Sequence, residues 1–215
     1  MQLKAKGATI LFCSHSIYQI EALCTRALWL DKGTVQMIGD PSSVAARYQN
    51  FLDMDAAPAG GQPELGHIPS PTGTARILAT QLSVDGNSGA SLSVRSREQS
   101  VAIAVGFSSD PDLPTPVVGL MVHSADGRVI ASSSTQADGI VLVRDEAGRG
   151  FAQVEFPQIP LLKGEYYVGV YLLSEDGIHV YDGAPNIGNL HFSQSSLEQG
   201  VVSLAHHWQY QPGAL

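Results

Sequence analysis

Residues 166–173 read "YYVGVYLL", and the alternation inside that stretch decides the fold. Along a β-strand successive side chains leave opposite faces. Tyr166, Val168, Val170 and Leu172 form one set, bulky and apolar enough for a core. Tyr167, Gly169, Tyr171 and Leu173 form the other set. A helical period of 3.6 would scatter both sets around the axis, so the segment reads as a strand with one buried face.

The same period of two recurs on both sides. "VAIAVGF" (101–107), "VVGLMVH" (117–123), "GRVIASS" (127–133), "IHVYDG" (178–183) and "NLHFSQ" (189–194) alternate similarly, separated by turn chemistry at Asp126-Gly127, Lys163-Gly164 and Asp176-Gly177. Without helical stretches between them, these segments predict a mainly β domain over 73–215. The expected form is an immunoglobulin-like antiparallel β-sandwich of about eight strands. Val118, Leu120 and Val122 are expected inward, as are Val101, Ile103, Val105 and Phe107. No internal repeat stands out.

Upstream the character changes. Residues 53–72 are rich in Pro, Gly and Ala, lack apolar periodicity and read as a linker. Residues 1–52 read as a β-α-β-β-α fragment. "ATILFC" (8–13) is apolar at consecutive positions, like a strand buried in a parallel sheet. Ile17, Ile20, Leu23 and Cys24 are spaced as one face of a short helix that Ser14 or Ser16 can cap. "ALWLDKGTVQMIGD" reads as strand, turn, strand, with the bend at Asp31-Lys32-Gly33, and Pro41 opens a second helix. This fragment is too small to bury a good core by itself.

Composition bounds the function classes. Apolar residues make up 44% of the 215-residue chain and charged residues 15%, as in globular proteins. No apolar run approaches the roughly 18 residues that span a bilayer. Lys4 and Lys6 before the short apolar run imitate a signal peptide, but the run is too short and no small-residue cleavage site follows. Both cysteines, Cys13 and Cys24, lie in the first segment. That leaves the β domain without a disulfide, as expected in a reducing cytoplasm. Net charge is −8, divided as +2 over residues 1–52 and −10 over the rest. An acidic domain does not suit nucleic acid, whose binding needs cations.

The pattern "ILFCSHS … ALCTRALWLDKGTVQMIGDPSSVAARY" resembles the final part of an ABC-transporter ATPase domain. There a strand ends in Ser-His, a helix follows, and a Leu-Asp-x-Gly hairpin leads to a Gly-Asp-Pro-x-x-Val helix. The resemblance implies that His15 is the switch histidine, which contacts the γ-phosphate and helps position the attacking water. Ser16 departs from the Asp or Asn often found next in the family. The sequence contains no G-x-x-x-x-G-K-[ST] phosphate loop, Walker B carboxylate or signature motif. His15 is therefore expected to be vestigial here, and the chain alone is not expected to be an enzyme. ATP and magnesium belong to a complete ATPase subunit, and no other cofactor is expected.

Residues 73–215 resemble the C-terminal domain of Wzt-type ATP-binding subunits, which serve O-antigen polysaccharide export. The pieces carrying this are "GTARI" (73–77), "VVGLMVHSADGRVIASSSTQ" (117–136), "LLKGEYYVGVYL" (161–172), "YDGAPNIGNLHFSQ" (181–194) and "GVVSLAHHW" (200–208). The resemblance implies a carbohydrate-binding module that recognises a lipid-linked O-antigen-type polysaccharide before export. It also implies a homodimer beside an ABC permease, on the cytoplasmic side of a Gram-negative inner membrane.

The residues offer a matching surface. If the bulky sets face inward, Gly119, Met121, His123, Tyr167, Gly169 and Tyr171 share the other side, with Ala102, Ala104 and Gly106 as a floor. His179 and Tyr181 alternate onto a comparable face. Aromatic rings can stack on the C–H faces of sugars while polar side chains meet the hydroxyls. The same small apolar face would equally suit a protein partner, or lie in the core if the assigned faces are reversed. Adjacent His206 and His207 on a strand point apart, so a metal site is not expected there. Trp208 reads as a core or edge plug sooner than a binding platform, Trp29 as hairpin packing, and "SSDPDLPTP" (108–116), with two carboxylates among three prolines, as a solvated loop sooner than a calcium site.

Overall fold

Residues 9–14, 17–55 and 74–209 are described by a computed structural model, and the chain divides into two compact units, Met1–Gly60 and Gly61–Leu215. In the first, helix α1 (Ile17–Leu23) precedes a hairpin of β1 (Ala27–Asp31) and β2 (Thr34–Gly39), followed by α2 (Pro41–Asp55). Lys32 and Gly33 both take positive φ, 47° and 79°, the turn whose twist matches two antiparallel strands. Asp40 caps α2 by accepting from the Ser43 amide at 3.1 Å, and Pro41 occupies the position where a missing N–H costs nothing. Trp29 packs on Tyr48 and Phe51, with ring centroids 5.7 and 5.0 Å away. It is a packing residue, as the sequence suggested.

Two expectations fail in this unit. Residues 9–14 form no strand, and Leu11 is 93% exposed. A strand exists through its ladder partner, and among the described residues β1 pairs only with β2. Helix α2 also extends three residues into the stretch read as linker. His15 lies outside the described residues.

The second unit contains β3 (Ala75–Val84), β4 (Asn87–Ser88), β5 (Ser91–Arg95), β6 (Val101–Ser109), β7 (Val117–Ser124), β8 (Val129–Ser134), β9 (Arg149–Phe156), β10 (Gly164–Leu173) and β11 (Val180–Ser193). They make a five-stranded sheet ordered β5-β11-β10-β7-β8 and a four-stranded sheet ordered β4-β3-β6-β9. Pairing is antiparallel except between β11 and β5, which run parallel.

The core lies between these sheets and is built from the alternating sets. Tyr166, Val168, Val170 and Leu172 meet Val118, Leu120 and Val122 in one sheet, and Val101, Ile103, Val105 and Phe107 in the other. Each such side chain contributes about 1.5–3 kcal/mol of transfer free energy when fully buried. Tyr166 satisfies its phenol by donating to the Leu162 carbonyl at 3.0 Å, and its ring meets Phe192 edge-on at 5.4 Å.

The remaining differences are local. The segments at 178–183 and 189–194 belong to one long β11, whose ladder slips opposite Val168–Val170 and again opposite Leu172–Leu173. Gly164 starts β10 instead of forming a turn, because Leu161 and Leu162 before it are buried. Gly127 and Gly177 do occupy turns, at φ of 83° and 72°. Trp208 is 88% exposed, not a plug: residues 203–209 join no strand, and the indole meets the His206 ring edge-on at 5.8 Å.

Candidate functional site

Strand β10 lies between β7 and β11, and register determines what its outer side meets. Tyr167 is opposite His123, Gly169 opposite Met121, and Tyr171 opposite Gly119. The sequence-derived residues on these two strands thus share one contiguous patch. Strand β8 adds Ser132 beside Met121 and Ser134 beside Gly119, while β11 adds Asn189 beside Tyr167. These polar neighbours were missed by sequence reasoning, although the alternation of "VIASSS" and "NLHFS" could have indicated them.

The expected Ala/Gly floor is elsewhere. Ala102, Ala104 and Gly106 lie on β6, in the four-stranded sheet, and face the opposite outer side of the sandwich. There Gly106 pairs with Phe151, which is 63% exposed, and Ala104 lies between Gln81 and Gln153. Alternation reports which side of its own sheet a residue occupies, but not which sheet the strand joins.

Nor is the β7–β10 patch an empty trough. A Cβ on Gly169 would lie 3.2 Å from Cε2 and Oη of Tyr171 and 2.9 Å from the Pro185 carbonyl. The Tyr171 ring therefore lies back over Gly169. Leu173 similarly leans over Gly119, at 3.1 Å from where a Cβ would be. Tyr171 is 8% exposed, and its burial pushes the phenol pKa above its ordinary value. Tyr167 and Met121 are half-buried.

His123 is only 5% exposed, and neither ring nitrogen has a hydrogen-bond partner. Leaving a buried polar group unsatisfied costs about 1–3 kcal/mol. Charge is sparse around it: β7, β8 and β10 contain no Lys or Arg. Glu165 lies 3.4 Å from His191 at one end of the patch, and Arg128 pairs with Asp126 at 2.7 Å in the β7–β8 turn.

His179 and Tyr181 stand apart from this patch. His179 belongs to the β10–β11 turn, where its amide donates to Ser174 Oγ at 2.9 Å, and its ring meets Tyr181 edge-on at 5.5 Å. Tyr181 packs against the inner core. Beneath them, Ser174 Oγ and the Ile178 amide donate to Asp176, lowering its pKa. Among the described residues, no three His, Cys, Asp or Glu side chains gather as a metal site. The carbonyls of the 110–113 loop instead face the Arg144 guanidinium, which donates to Asp110 O, Pro111 O and Leu113 O.

Residues 69–204 match the family described as Wzt C-terminal domain. The chain belongs to that family. Among solved structures, the crystal structure of the C-terminal domain of wzt superposes with a TM-score of 0.56 at 16% identity, over 71% of this chain and 92% of that one. Its likeness extends the family match to the fold. The O-antigen export system ATP-binding protein RfbB of Myxococcus xanthus is 28% identical over 229 residues, covering all of this chain and 50% of that protein. The chain thus spans about half the length of this relative. The teichoic acids export ATP-binding protein TagH of Bacillus cereus is 47% identical over 51 residues, 24% of this chain and 9% of that protein. In this Wzt C-terminal domain both outer sheet faces carry aromatic and small residues, but the buried, unpartnered imidazole is on the five-stranded sheet.

Proposed function

We propose that the sandwich is the glycan-recognition module of an ATP-binding subunit in an O-antigen polysaccharide exporter. It binds the lipid-linked polysaccharide at the cytoplasmic face before export, on the outer side of the five-stranded sheet. The observation carrying this reading is the register that sets Tyr167 beside His123 and Met121 beside Gly169 on one face. An aromatic ring there can stack on a sugar's C–H face while imidazole, serine and asparagine groups meet hydroxyls. Family membership and the export role named for RfbB support it.

In this reading the subunit works as a homodimer beside an ABC permease at the inner membrane of a Gram-negative bacterium. ATP does not fit the residues of this chain, because the sequence has no phosphate loop to hold it. His15 takes part in ATP chemistry only within a complete ATPase domain, and these 215 residues alone hydrolyse nothing.

A protein-docking role has its own supporting observation. Val143 and Phe151 are exposed together near the free edge of β9, where Arg144 bridges to Gly150. Retention of the full chain on immobilised cognate O-polysaccharide separates the two readings. Tyr167→Ala should reduce retention about tenfold, the ~1.4 kcal/mol within reach of one stacking ring. Retention unchanged in the folded variant, but lost in Phe151→Ala, would move the function to the other sheet.

A further inference from the structure

Resting on the glycan reading, we infer that His123 is the residue that sets ligand specificity on this face, and that its ligand is an uncharged sugar ring. His123 is nine-tenths buried and both its ring nitrogens lack partners, a state that native structures rarely leave unexplained. The polar groups of the adjoining β7–β8 turn are already engaged: Ser124 Oγ donates to Asp126, and Arg128 is paired with that same carboxylate. An unprotonated imidazole offers one donor and one acceptor. A hydroxyl can answer either, whereas a hydrocarbon can answer neither.

Tyr167 is the aromatic neighbour on the same face. Its ring is the register neighbour of His123, it is half-buried, and its phenol makes no hydrogen bond among the described residues. Rotation of such a side chain is fast and needs no backbone change. Turned toward a ligand, Tyr167 would present its face to a sugar ring while the neighbouring imidazole takes a hydroxyl of the same ring.

Charge excludes the acidic alternative. A carboxylate entering here would find no cation on β7, β8 or β10, and would meet Glu165 at the end of the patch. His191 there is held by Glu165 and by Ser91, and Arg95 on the outer side of β5 is paired with Glu98 at 2.9 Å. A desolvated anion without a partner is far costlier than a hydroxyl.

The test uses the full chain, with 15N spectra recording the His123 ring nitrogens and the amides of Met121, Tyr167 and Gly169. Probes are the methyl glycosides of glucose, galactose, mannose and rhamnose, and methyl glucuronoside as the anion. The expected result is a shift of both the amides and an imidazole nitrogen with at least one neutral glycoside, and none with the glucuronoside. His123→Phe should weaken that neutral probe at least tenfold, and His123→Gln, which keeps a donor and an acceptor, should recover most of it. Amide shifts without an imidazole response overturn the role of His123 and leave the glycan reading intact. A response to the glucuronoside alone overturns the uncharged ligand. Silence on this face with every probe overturns the inference, and the glycan reading falls separately only if retention on the O-polysaccharide is also absent. If His123→Phe fails to fold, the spectra of the unaltered chain still decide the question.

Discussion

Adding one methyl group at Gly150 should be among the most damaging small changes to the sandwich. Gly150 pairs with Phe107 across β9 and β6, and Phe107 is fully buried. A Cβ there would sit 2.3 Å from Phe107 Cζ and 2.8 Å from both Cε atoms. Carbon pairs prefer about 3.5–4.0 Å, so the ring must retreat by more than an ångström. It would be pushed into a core already filled, of which Val105 and Ile103 are part. Overpacking of this kind costs about 1–3 kcal/mol, partly offset by about 0.4–1 kcal/mol because alanine restricts the unfolded chain. Gly106, one position away on β6, is the control. The nearest atom to its Cβ would be 3.9 Å away, so Gly106→Ala should be neutral or slightly stabilising. Urea unfolding followed by far-ultraviolet circular dichroism should separate the two variants by about 2 kcal/mol at equal m-value. Phe107→Leu should cost less in the Gly150→Ala background than alone, because the smaller side chain clears the new methyl. Equal midpoints for Gly150→Ala and Gly106→Ala would refute the packing argument.

Two further outcomes follow from polar clusters. Asp85, at positive φ between β3 and β4, accepts from Gln99 Nε2 at 2.7 Å, the Ser100 amide at 2.9 Å and Ser100 Oγ at 3.2 Å, and these bonds, led by that of Gln99, lower its pKa. A lowered native pKa means that the unfolded chain takes up the proton first, so this stabilisation is complete above the unfolded pKa and fades as pH falls through the folded one. The Tm difference between the unaltered chain and Asp85→Asn should therefore be largest at pH 5 and above and shrink toward pH 3, and a constant difference would contradict it. Arg144 donates to Ser109 Oγ and to the carbonyls of Asp110, Pro111 and Leu113, so Arg144→Ala should expose 110–116 to limited proteolysis while the core stays folded. Lysine should not rescue it, since only the planar guanidinium reaches several carbonyls at once.

The inward face was legible in the sequence because burial is read residue by residue. Every position assigned inward on β6, β7 and β10 is buried. Strands β3, β5 and β9 were not read, although Gly150, Ala152, Val154 and Phe156 alternate inward along β9 as regularly as any. Their inward residues alternate with Ser, Gln, Thr, Arg and Glu, so the apolar signal falls below that of the central strands. Strand β11 read as two because its bulges interrupt the alternation where the ladder slips. The 9–14 segment failed for the opposite reason: an apolar run describes a buried strand only when neighbouring strands are there to bury it.

The site shows the limit of the same logic. Alternation put Tyr167, Gly169, Tyr171, Gly119, Met121 and His123 on the side away from the core, and pairing of β7 with β10 brings them into one patch. It could not show that Tyr171 and Leu173 would fold back over the two glycines, nor that β6 would join the other sheet. Those facts depend on pairing partners, which are set by long-range contacts and not by local pattern. Their consequence is chemical. With the glycines covered, the patch offers no open groove to hold a chain by shape, so under the glycan reading proposed above a ligand is held by what it exchanges with His123 and by the ring of Tyr167. Recognition by one stacking surface and one hydrogen-bonding group is weak per site, in the range where a second copy of the module multiplies retention on a repeating polymer. A glycan with many identical units is the kind of partner for which such a face suffices.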